Sequence, residues 1–78
     1  MRSYNMFTNI KINIEDDKFV GVSCDINSRP SGIPRVLDNM DYQGILDEII
    51  ANGTDNFAEG ETIPDELQKD VDNKKGIK

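Results

Sequence analysis

Histidine and tryptophan are absent from this 78-residue chain, and cysteine occurs once, as Cys24. Each absence removes a class of chemistry. A lone cysteine forms no internal disulfide. Without histidine or a second cysteine, the usual zinc ligands and nucleophile–base pairs are missing. No catalytic residues, no cofactor and no metal are therefore expected, and the chain reads as a non-enzyme. The acids do not rescue a calcium site. Asp38, Asp41, Gly44 and Asp47 lack the alternate-ligand spacing of a calcium loop, and Asp70 and Asp72 run into Lys74 and Lys75. The glycines form no phosphate-cradling run. No stretch approaches the roughly 18 apolar residues of a membrane span. The start, Met-Arg-Ser-Tyr-Asn-Met, carries no apolar segment of a secretory leader. A cytoplasmic protein without membrane contact is the expectation.

What is present begins with alternation. Over residues 6–26, Met6, Thr8, Ile10, Ile12 and Ile14 fall on one parity, and Val20, Val22, Cys24 and Ile26 on another run of the same kind. A period of two gives each run one apolar and one polar strand face, so the pair reads as an antiparallel hairpin around Glu15-Asp16-Asp17. If the apolar residues share a face, Ile12 opposes Val20 and Ile10 opposes Val22. That register asks for a three- or five-residue connection, with Asp16 or Asp17 at positive φ. Cys24 is then a small buried hydrophobe. Gly21 marks a bulge or a close backbone approach. Phe7 and Phe19 fall on the polar face.

Residues 27–34 form a turn-rich connector with two prolines and a glycine. A turn or third strand follows at residues 33–37. The main helix is expected over residues 41–52, capped by Asp41, burying Ile45, Leu46, Ile49 and Ile50, and stopped by Asn52-Gly53. Within the polar stretch 54–62, Phe57 is expected either to tie the loop back to the core, the favoured reading, or to be an exposed contact. A short second helix starts near Thr62-Ile-Pro64 and docks through Leu67 and Val71. The fold class is thus α+β: a hairpin or three-stranded sheet packed on one main helix, with a short C-terminal helix. Residues 6–71 make one small domain, between a flexible lead-in (1–5) and a flexible tail (72–78).

Charge carries the functional expectation. The net charge is −6, but residues 1–37 sum to +1, whereas residues 38–72 hold eleven acids against Lys69 alone. Lys and Arg supply most nucleic-acid affinity, so the second half is unsuited to phosphate backbones. It suits a basic protein surface, and carboxylates spread over helix and loop can imitate phosphates. The candidate partner-binding set is Asp38, Asp41, Asp47, Glu48, Asp55, Glu59, Glu61, Asp65 and Glu66, with Asp70 and Asp72 in the same run. A solvated surface that aids only solubility is the competing reading. The leading expectation is a small acidic interaction module, an inhibitor of a basic nucleic-acid-binding surface. In size and acidity it is like small phage-encoded inhibitors, though it shares no motif with them. The alternative is a single-strand nucleic-acid binder in which Phe7, Lys11 and Phe19 stack and neutralise on the outer hairpin face. Direct nucleic-acid binding is disfavoured because Asp25 and the acidic turn lie alongside. With so small a core, a homodimer or a partner-stabilised monomer is also expected.

Overall fold

The computed structural model describes residues 6–76; the expected lead-in 1–5 and residues 77 and 78 lie outside the described residues. Strands β1 (Phe7–Glu15), β2 (Lys18–Ile26) and β3 (Arg29–Pro34) form one antiparallel sheet in the order β1-β2-β3, followed by helices α1 (Met40–Asn52) and α2 (Asp65–Lys75). The fold is α+β, and the third strand is formed, but over Arg29–Pro34 within the expected connector and not over residues 33–37. Among the described residues no helix is long and apolar enough to cross a membrane.

Both hairpins close through two-residue turns. Asp16 and Asp17 have φ of 51° and 62°, and Asn27 and Ser28 have 52° and 71°. Two consecutive positive φ values define the type I′ turn, whose twist matches that of the flanking strands, and Asn and Asp tolerate it best after glycine. The longer connection expected from parity is therefore wrong: Glu15 opposes Lys18, and Ile14 opposes Phe19.

Two bulges reconcile this tight turn with an apolar core. The register shifts between Asn13 and Ile14, where Val20 is the extra residue of β2, so that Ile12 opposes Val22 and not Val20. It shifts again between Thr8 and Lys11, with Asn9 at φ 54°. Each bulge inserts one residue and reverses the parity beyond it. Phe7 and Phe19 consequently turn inward and are buried, while Ile14 and Val20, expected in the core, are 51% and 38% exposed. Gly21 is required at the second bulge. A Cβ there would collide with the backbone oxygen of Ile33 on β3 and lie 3.1 Å from Pro34 Cα.

β3 accounts for the prolines of the supposed connector. The Arg35 amide donates to Val20 O at 2.9 Å, and alternate amides of an antiparallel strand face its neighbour. Arg29, Ser31 and Ile33 thus share the Arg35 phase and face β2, and Pro30, Gly32 and Pro34 face outward.

Helix α1 covers the inner face of the sheet. Asn39, not Asp41, is its cap, its side chain accepting from the Tyr42 amide at 3.0 Å. Tyr42, Ile45, Leu46 and Ile49 are buried, but Ile50 is left partly exposed. Gly53 ends the helix as expected, donating its amide to Ile49 O at 2.8 Å. Gly44 lets the Phe7 ring lie against the helix, since a Cβ would approach Phe7 Cζ to 2.6 Å. The loop after α1 returns to the sheet: Ile10 N donates to Asn56 O at 3.0 Å, and Ala58 N donates to Ile10 O at 2.8 Å. This short parallel bridge tucks Phe57 against the core, as an anchor, and covers the outer edge of β1.

Helix α2 starts at Asp65, with Pro64 at the cap and no side-chain hydrogen bond from Thr62. Asp65 and Glu66 in its first turn and Lys74 and Lys75 in its last complement the helix dipole. Leu67 and Val71 dock it, and it continues past Val71 to Lys75, ending on Gly76 in the left-handed conformation.

Gly21→Ala should destabilise the domain by about 1–3 kcal/mol, because the obstructing atom is sheet backbone and cannot swing aside. A lowered urea midpoint with an unchanged slope is the expected result.

Candidate interaction surface

The nine candidate carboxylates divide into two groups. Four are engaged within the fold. Glu48 Oε2 accepts from Asn52 Nδ2 at 2.7 Å and from Asn56 Nδ2 at 2.5 Å, fixing the loop after α1. Glu61 Oε1 accepts from the Ile12 amide at 2.7 Å and so satisfies the edge of β1. Glu66 Oε2 lies at the limit of a hydrogen bond, 3.5 Å, from the Phe19 amide. Asp47 pairs with Lys74 at 3.4 Å in an exposed contact. Asp38, Asp41, Asp55, Glu59 and Asp65 have no side-chain partner among the described residues, and all but the half-buried Asp41 are exposed.

Asp70 leaves the acidic surface altogether. It is the one buried charged residue among those described. Its Oδ2 accepts from Tyr42 Oη at 2.5 Å and from Arg35 Nε at 2.8 Å, and its Oδ1 accepts from an Arg35 terminal nitrogen at 3.1 Å. The Arg35 guanidinium also stands 5.8 Å over the Phe19 ring, which packs 6.4 Å from Tyr42. The end of β3, α1 and α2 therefore meet at one carboxylate. The Arg35 hydrogen bonds hold the Asp70 carboxyl below the usual carboxylate range against the opposing effect of burial, and the Tyr42 bond adds to them. Burial, then the bond to Asp70, pushes the Tyr42 hydroxyl well above the usual tyrosine range. Such a tyrosine is a poor nucleophile or base, and the triad reads as a structural lock. The sequence carried one sign of it. Asp70 lies on the Leu67–Val71 stripe, and Tyr42 lies on the stripe of Ile45, Leu46 and Ile49, so a charge and a hydroxyl share apolar faces.

The outer-face stacking set is not assembled. Phe7 and Phe19 are core residues, and Lys11 alone of the three is exposed. The open face of the sheet is polar there, with Asn13 Nδ2 donating to Ser23 Oγ at 3.0 Å. The depression on it, lined by Lys11, Ser23, Asp25 and Gly32 among others, is shallow and offers no aromatic platform. Cys24 is buried, and burial, followed by the charges of Asp25 and Asp41, pushes its thiol up to about 11. It is unreactive at neutral pH. Among the described residues no group of three or more acids, histidines or cysteines is placed to hold a metal ion.

Asp70→Asn should cost about 2 kcal/mol, less than a fully buried pair would, because Arg35 remains partly solvated. Tyr42→Phe should cost about 1 kcal/mol. The native carboxyl titrates below its unfolded value, so its stabilising contribution is complete above about pH 4 and is lost as pH falls through the native value. Urea unfolding from about pH 7 to about pH 3 should therefore show a shallower acid loss in Asp70→Asn than in the wild type.

Compared with known proteins, the chain matches no family model, no curated sequence and no solved structure.

Proposed function

We propose that this protein is a non-catalytic interaction module whose carboxylates engage a basic protein surface of the kind that holds nucleic acid, and thereby inhibit it. One observation carries the reading. Between Arg35 and Lys69 the chain has nine acids and no cation, and the fold leaves five of those acids without an internal partner. If every acid served local structure, each would find a donor, as Glu48 and Glu61 do. The unpartnered carboxylates instead retain their full field at the surface. Carboxylates fixed on helix ends and a loop bridged to the sheet keep their spacing, as phosphates do on a duplex. An unreactive thiol and a tyrosine committed to Asp70 fit a non-catalytic role.

The test compares two charge changes of equal size. Oligolysine binding is followed by fluorescence anisotropy across salt concentration for Asp55→Lys/Glu59→Lys and for Glu15→Lys/Asp25→Lys. The first pair should weaken binding by about tenfold or more and flatten its salt dependence, while the second changes it little. Equal losses would reduce the acidic half to bulk charge and overturn the proposal. Preferential binding of single-stranded DNA would do the same.

A further inference from the structure

Of the asparagines in this chain, Asn52 alone is followed by glycine. The side-chain amide of an asparagine is open to attack by the backbone nitrogen of the next residue. A side chain on that residue shields its nitrogen, and glycine has none. The pair stands in the open at the end of α1. Both residues are exposed, and a Cβ added at Gly53 would meet nothing within 4 Å. We propose that Asn52 is a site of spontaneous deamidation, and that the carboxylate it yields loosens the loop laid over β1. The Gly53 nitrogen, having lost its proton to hydroxide, bonds to Cγ of Asn52. The Cγ–Nδ2 bond breaks, and the departing nitrogen takes a proton from water and leaves as ammonia. Water then opens the five-membered imide at either carbonyl, giving aspartate or isoaspartate. No oxidant, reductant or other co-reactant is needed.

The fold governs both the rate and the consequence. In the closed helix end the Gly53 amide donates to Ile49 O at 2.8 Å, and Asn52 Nδ2 donates to Glu48 Oε2 at 2.7 Å. Both groups are released before they react, so the reaction follows fraying of the last turn. The same Glu48 Oε2 accepts from Asn56 Nδ2 at 2.5 Å, and residues 56–58 hold the outer edge of β1 through Ile10. Deamidation removes the Asn52 donor and sets a carboxylate four residues from Glu48, where like charges repel. It also adds negative charge at the negative end of the α1 dipole, and the last turn of α1 has no basic residue to offset it. A clip thus becomes a repulsive pair, whatever the acidic surface binds.

The full chain is aged in mildly alkaline buffer and mapped by peptide mass spectrometry. The amide-to-acid mass gain should appear first in the peptide that holds Asn52, as aspartate and isoaspartate together. Asn27, followed by serine in an exposed turn, is the internal comparison. Conversion at Asn27 or another asparagine ahead of Asn52, or none at Asn52, overturns the site. The denatured chain should convert at Asn52 about tenfold faster than the native one, because its last turn is always open. Equal rates would overturn the control by fraying. Asn52→Asp supplies the aspartate product directly. Amide exchange at Ile10 and Ala58 should quicken about fivefold in this variant, with Val22 and Ile33 unchanged. Asn52→Ala, which loses the donor but adds no charge, should quicken it less. Unaltered exchange at Ile10 and Ala58 in Asn52→Asp overturns the loosening, and an equal gain in both variants overturns the repulsion.

Discussion

A buried carboxylate is tolerable only where its partners are brought to it, and in this protein those partners come from separate parts of the fold. Asp70 on α2 is reached by Arg35, just past β3, and by Tyr42 on α1. The contact makes helix position and sheet position depend on each other, because moving any one element leaves a desolvated charge without its donors. Apolar burial alone would hold the helices against the sheet in several nearby arrangements. The directional bonds to Asp70 select one. Phe19 belongs to the same assembly, beneath the Arg35 guanidinium and beside the Tyr42 ring, so the inward turn of that phenylalanine is part of what closes the domain.

That inward turn depends on backbone geometry more than on side-chain pattern. A type I′ turn at Asp16-Asp17 forces an odd register, and a strictly alternating strand would then place its isoleucines opposite polar residues. The extra residue at Val20 removes the conflict, and the bulge at Asn9 reverses the parity a second time. The chain thus keeps the tight turn and the apolar core together, at the cost of leaving Ile14 and Val20 in contact with water.

The elements readable from the residues are those governed by local rules. Alternation located β1 and β2, the apolar stripe and Asn52-Gly53 located α1, and Leu67 and Val71 located α2. Mid-strand Gly21 reads as a bulge or a close approach, and it stands at both. Parity alone misreads the register because it assumes regular strands, and a bulge at Asn9 leaves no compositional mark. β3 was hidden by its own prolines, which look like punctuation until their outward phase is known. The helix cap fell two residues early because Asn39 and Asp41 are equally good caps on chemistry alone. The acidic half was visible as charge, but its division into internal and outward carboxylates was not. Glu61 reaches Ile12, and Asp70 reaches Arg35 and Tyr42, only once the chain is folded.

The phase of β3 has a consequence for how these molecules behave when crowded. A sheet grows at its margin by exchanging amide hydrogens and carbonyls with each incoming strand, and fibrils extend that exchange without limit. On β3 the outward positions are Pro30, Gly32 and Pro34, so only Gly32 has a hydrogen to offer an arriving chain. The opposite margin is already occupied by residues 56–58 and by the Glu61 carboxylate. Both ends of the ladder are therefore poor templates for an added strand.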